Sequence, residues 1–125
     1  MMGYAHLPIR MSEEELRPYF LQILSSEDRT EPERVMEYLM RLNDLIDRHV
    51  FNNVPLAVDL YIKISEYLMA VVDYASYDNV EAVTTIVANL QMKDVYQAMC
   101  NRLPDLENRD IVSLILDAAS DVNTN

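Results

Sequence analysis

A chain of 125 residues, half of them hydrophobic, has the size of one domain and enough apolar mass to bury a core without disulfide or metal staples. Its 21 acidic against 10 basic side chains leave a net charge of −11, a field that repels phosphate backbones and anionic membrane surfaces and so disfavours direct nucleic-acid binding. The single glycine, Gly3, and the single cysteine, Cys100, exclude glycine-rich phosphate loops, glycine-based hairpin turns and an internal disulfide.

Residues 1–11 are expected to be flexible, and Met1–Leu7 lacks the basic start and long apolar run of a secretion signal. Ser12 with Glu15 forms a capping box ahead of Leu16, Tyr19, Phe20, Ile23 and Leu24, at helical spacing. Pro18 stands six residues past that cap, so the regular helix is expected to begin near Pro18 itself. After a polar connection over Ser25–Arg29, Thr30 with Glu33 predicts a second capping box, with Pro32 in the first turn. Val35, Leu39, Leu42, Ile46 and His49 follow at alternating spacings of four and three, and Asn52 and Asn53 mark the end.

Asn53 is expected to cap a third helix, with Pro55 in its first turn, running to about Ala75 through Leu56, Leu60, Ile64, Tyr67, Leu68, Val71 and Tyr74. Its charged residues Asp59, Lys63, Glu66 and Asp73 fall on one narrow stripe, so the remaining arc is apolar or aromatic. Such a helix is either central in the bundle or shared with a partner. Asp78 with Glu81 predicts a third capping box before Val80, Val83, Val87 and Leu90, with Val83–Val87 the only run that would suit a strand. A fifth helix from Asp94 must stop near Leu103 because Pro104 restricts the residue before it. Asp105 or Asn108 then opens a last helix with Ile111, Leu114, Ile115, Ala118 and Ala119 facing inward, and residues 121–125 are expected to be flexible.

The expected architecture is therefore all-α: a single domain over 1–125, a compact bundle of five to six helices containing a long antiparallel helical hairpin (about 31–50 and 54–75).

Chemistry-bearing residues are sparse. Asp44, Asp47 and His49 are close in sequence but do not share a helix face, and no metal-ligand spacing is present. His49 reads instead as a donor at a helix C-terminus, where terminal carbonyls favour it. Ser65, Ser76, Ser113 and Ser120 lack a glycine elbow, and Cys100 lacks an identifiable base, so no catalytic, cofactor-binding or metal site is expected. The run Glu13–Glu15 reads as favourable charge at a helix start or as a docking patch for a basic partner. The eight methionines, Met36, Met40, Met69, Met92 and Met99 among them, read as core filling or as the lining of an adaptable groove.

The tyrosines carry a stronger signal, since Tyr61, Tyr67, Tyr74 and Tyr77 gather around the third helix and the turn after it. Tyrosine suits the half-buried rim of an interface and equally the edge of a core. The residues expected to bind a partner are Tyr61, Tyr67, Leu68, Val71, Tyr74 and Tyr77. The expected function is a non-catalytic protein–protein interaction module, an adaptor, assembly subunit or modulator, with homodimerisation through the third helix as one form of it. The expected partner is another protein, and any contact through the acidic surface calls for a basic face. An alternative is an acidic decoy that blocks a nucleic-acid-binding protein, which would need acids in rows on one face. No stretch approaches the roughly 18 apolar residues of a membrane span, and a soluble, intracellular protein, cytoplasmic rather than nuclear, is expected.

The order of a short helix bearing Leu16-Arg17-Pro18, two long helices of which the second ends in Asp73-Tyr74, and a short one opening at Asp78 resembles the small helical module shared by the steroid receptor RNA activator protein and the outer coat subunit of secretory vesicles. The resemblance spans about Leu16–Leu103 and implies a helical interaction module. The chain lacks the tryptophan and the glycine of that module's final helix.

Overall fold

The computed structural model describes residues 7, 8, 10–26, 29–50, 52 and 55–122, and over them the chain is a helical bundle without strands. Helix α1 (Glu13–Leu24) opens on the capping box: Glu15 N–H donates to Ser12 Oγ at 3.1 Å, and Ser12 N–H donates to Glu15 Oε1 at 3.0 Å. The helix does not wait for Pro18, which sits inside it. The carbonyl that loses its partner there belongs to Glu14, and both residues face solvent, so water can satisfy it. Leu16, Phe20, Ile23 and Leu24 are buried.

Helix α2 (Pro32–Val50) starts one residue later than a Thr30 cap requires. Its first intrahelical bond runs from Val35 N–H to the Glu31 carbonyl, which places Glu31 at the cap and Pro32 at the first helical position, where the missing N–H costs nothing. Leu39, Leu42, Leu45 and Ile46 are fully buried. The arginines along α2 pair with acids one turn before them: Arg34 with Glu31 at 3.9 Å, Arg41 with Glu37 at 4.0 Å and Arg48 with Asp44 at 2.6 Å. Arg48 also donates from Nε to the Pro8 carbonyl at 3.0 Å, and Asn52 donates from Nδ2 to the Met11 carbonyl at 2.8 Å. The described end of the segment expected to be flexible is thereby tied to α2, and Met11 lies in the core.

Helix α3 (Val58–Val71) is shorter than the expected 54–75 span at both ends. Asn53 lies outside the described residues, Pro55 precedes the helix, and the cap position is Ala57, which has no side-chain acceptor. The start is set from α1 instead. Ala57 N–H donates to Glu13 Oε1 at 2.6 Å, and Arg17, one turn into α1, pairs with Asp59 in the first turn of α3. The end is set by Asn79, a buried residue of the next helix, whose Nδ2 donates to the Val71 carbonyl at 3.1 Å while its Oδ1 accepts from Asp73 N–H at 2.7 Å. With those groups satisfied, Val72 turns extended and α3 stops.

Helix α4 (Tyr77–Leu90) is capped by Ser76, whose Oγ accepts from Asn79 N–H at 3.2 Å, so Asp78 falls inside the first turn and forms no capping box with Glu81. Val83–Val87 is helical throughout. At its C-terminus Gln91 adopts φ 54° and ψ 48°, left-handed without being glycine. Met92 N–H bonds the Val87 carbonyl and Gln91 N–H the Ala88 carbonyl, with Met92 and Val87 both fully buried, which offsets a conformational cost of about 1–2 kcal/mol. Helix α5 (Lys93–Cys100) leads into a single 3-10 turn, Leu103–Asp105, around Pro104. Helix α6 (Arg109–Asp117) is capped by Asn108, as the sequence predicts, and α7 (Ala119–Val122) is one turn that buries Val122.

The pairing of these helices differs from the expected hairpin. Helix α2 packs chiefly against α4 and then α1, whereas α3 packs on α1 and α5. Helix α4 occupies the centre, touching α2, α5, α6 and α7. The helix with the widest apolar circumference is thus peripheral.

Candidate functional site

Helix α3 divides into three longitudinal stripes. Leu60, Ile64, Tyr67, Leu68 and Val71 form the core face. Asp59, Lys63 and Glu66 are exposed on a charged face. Between them runs an exposed apolar stripe of Val58, Ile62 and Met69, 74%, 49% and 47% accessible, whose spacings of four and seven place all three on one line of the helix. Ser65 fills the gap in that line, and its hydroxyl bonds back to the Tyr61 carbonyl at 2.9 Å, so it adds no unpaired donor. Half-buried Tyr61 and Val72 border the stripe on the side away from the acids. Apolar side chains exposed singly are ordinary, but three aligned on one helix form a continuous face.

The six residues expected to bind a partner separate on folding. Tyr67, Leu68 and Val71 are core residues and cannot reach a partner without opening the bundle. Tyr74 is half-buried at the α3–α4 junction beneath the Arg102 guanidinium, 4.8 Å from its ring centroid, and Tyr77 is exposed as the first residue of α4. Tyr61 alone joins the exposed stripe of α3. Burial raises its phenol pKa, and Asp94 in the first turn of α5 adds to the shift. The residues missed, Val58, Ile62 and Met69, carry the same helical periodicity as the core stripe beside them. Both stripes are legible in the sequence, and only packing decides which faces water.

His49 does not serve the end of α2 as expected. His49 is 3% accessible, and neither ring nitrogen has a hydrogen-bond partner among the described residues. It lies under a shallow depression of about 460 Å³ floored by Pro55, Leu56, Tyr61 and Leu90. Asp44 is taken by Arg48, and among the described residues no group of three or more His, Cys, Asp or Glu side chains converges as a metal site would require. Cys100 is half-buried beside Tyr96, whose hydroxyl donates to the Ile115 carbonyl at 2.6 Å. Burial, reinforced by the Cys100 thiol, pushes the Tyr96 phenol up to about 12. Among the described residues no helix is long and apolar enough to cross a membrane.

Comparison of the chain with protein-family models, curated proteins and solved structures finds no match. The resemblance over Leu16–Leu103 gains no support from it, and the functional reading rests on the geometry of this molecule.

Proposed function

We propose that this chain is a non-catalytic protein–protein interaction module that receives an amphipathic partner helix along the exposed stripe of α3. The observation that carries this reading is the alignment of Val58, Ile62 and Met69 on a helix whose opposite face is already committed to the core. A helix laid on that stripe would bury apolar side chains at its own spacings of three and four, in the manner of helix-in-groove recognition. On the adjoining face Asp59 is paired with Arg17 and Glu66 stands beside Lys63, so it is the acidic excess of the chain that favours a partner whose stripe is bordered by Lys or Arg. The same charges, on a chain of net −11, disfavour a second copy as the occupant. The decoy alternative needs unpaired acids in rows, whereas Glu31, Glu37 and Asp44 on and before α2 are held by Arg34, Arg41 and Arg48.

The test is a titration of the chain with two designed amphipathic helical peptides that share one apolar stripe, flanked in one by lysines and in the other by glutamates. The lysine-flanked peptide is expected to bind, and Ile62→Glu or Met69→Glu to weaken it by about tenfold or more, with helical content unchanged. Absence of saturable binding by either peptide, or equal binding by the glutamate variants, would overturn the reading. Light scattering at high concentration separates the homodimeric form, which predicts a doubled mass that Ile62→Glu reduces.

A further inference from the structure

The chain has eight arginines, and their surroundings fall into two groups. Arg17, Arg34, Arg41 and Arg48 each pair with a carboxylate. Like the exposed Arg10 and Arg109, Arg29 and Arg102 make no ion pair among the described residues, although the chain carries twice as many acids as bases. Arg29 and Arg102 line one groove of about 520 Å³, between the start of α2 and the α3–α4 junction.

Both guanidiniums lie over tyrosine rings, Arg29 at 5.2 Å from the Tyr67 centroid and Arg102 at 4.8 Å from that of Tyr74. Attraction to the ring helps to position each cation without consuming its N–H donors. Arg29 spends one donor on the Leu24 carbonyl at 3.1 Å, and the Arg102 side chain has no hydrogen bond among the described residues. The acid in the lining, Asp73, is turned to a backbone task, its Oδ1 accepting from Ala75 N–H at 3.0 Å. Pro32, Val35, Met36 and Val72 supply an apolar wall beside the cations.

We propose that this groove binds an oxyanion, a carboxylate or a phosphate, carried on an apolar stem, with Arg29 and Arg102 as its two cationic donors and the Pro32–Met36 wall receiving the stem. Each guanidinium carries a planar fork of donors that can bind a carboxylate or phosphate bidentately, whereas a lysine offers only a point charge. The groove lies at the end of α3 away from Val58 and works independently of the stripe that the partner helix would cover.

The experiment is a two-dimensional NMR titration of the full chain, observing arginine Nε–H and the amides of Tyr74 and Val72, with three small probes: phenyl phosphate, phenylacetate and the neutral phenylacetamide. At least one of the anions is expected to give saturable shifts at these groups that weaken with added salt, and the amide none. Arg102→Gln is expected to weaken binding by about tenfold, since a hydrogen bond to a charged group is lost. Arg29→Lys, which keeps the charge but not the fork and so guards against unfolding around Tyr67, is expected to weaken it as well, whereas Arg109→Gln outside the groove is not. Binding of the phosphate alone or of the carboxylate alone supports the site and assigns the anion. No saturable shift with either anion, equal binding of the amide, or affinities unmoved by Arg102→Gln would overturn the proposal.

Discussion

Asn79 ties the end of α3 to the start of α4 through a buried side-chain amide. Its amide closes the end of α3 on both sides, accepting from Asp73 N–H and donating to the Val71 carbonyl, while its own N–H is bound by the Ser76 cap of α4. Asn79→Ala strands two backbone groups at a buried corner and is expected to destabilise the chain by about 2 kcal/mol or more, read as a lowered urea midpoint. Asn79→Asp keeps an acceptor, loses the donor to Val71 and should fall between. Tyr96 offers a test by pH. Its phenol stands at about 12 in the folded chain against 10.0 in the unfolded one, because burial and the Cys100 thiol disfavour the phenolate. A raised folded value means that stability is complete below about pH 10 and falls as pH rises from there toward about 12. Tyr61 and Tyr74, also raised mainly by burial, act with the same sign. Denaturation measured across that alkaline range should show the decline, and Tyr96→Phe should make it shallower.

At the scale of elements, the helix starts divide into those made locally and those made by neighbours. The Ser12–Glu15 box and the Asn108 cap are complete within four residues, which is why the sequence places them correctly. Glu15 is held below the usual carboxylate range by the Ser12 backbone N–H, so its contribution to α1 is present at neutral pH and is lost as pH falls through that lowered value. The Thr30 and Asp78 boxes have the same local spelling, yet Pro32 and Ser76 compete for those ends and win them. Ser12→Ala should therefore cost about 1 kcal/mol, whereas Thr30→Ala should stay within about 0.5 kcal/mol of the parent in thermal unfolding. The stripes of α3 allow a sharper contrast. Leu68→Ala is expected to cost about 2–5 kcal/mol and Ile62→Ala less than about 1, measured by the same unfolding curve. The reverse order would mean that the buried and exposed stripes are exchanged.

For the whole molecule, charge and topology act together. Residues 51–125 carry 11 acids against 4 basic groups, so a basic helix approaching α3 meets an attractive field. Association with the lysine-flanked peptide should slow markedly from low to physiological salt, over which the screening length falls to about 8 Å, while the dissociation rate changes little. A flat association rate would assign recognition to the apolar stripe alone. The topology explains why that stripe is open: α4 takes the central place and packs against four neighbours, leaving α3 supported by α1 and α5 on one side.

The amino-acid sequence by itself determined the all-helical class, the approximate positions of the six longer helices and two of their caps, because periodicity and capping are properties of segments a few residues long. It also contained both apolar stripes of α3, but nothing local distinguishes Ile62 from Ile64 as a core residue, since each lies on a line of apolar side chains at helical spacing. Packing made that choice, and it moved the candidate face from Tyr67, Leu68 and Val71 to Val58, Ile62 and Met69. The ends of α3 followed from the same cause, being fixed by Glu13 from α1 and Asn79 from α4. Gln91 in the left-handed region and the convergence of Arg29 and Arg102 on one groove likewise depend on contacts between residues remote in the chain, whose free energy appears only when the helices are assembled.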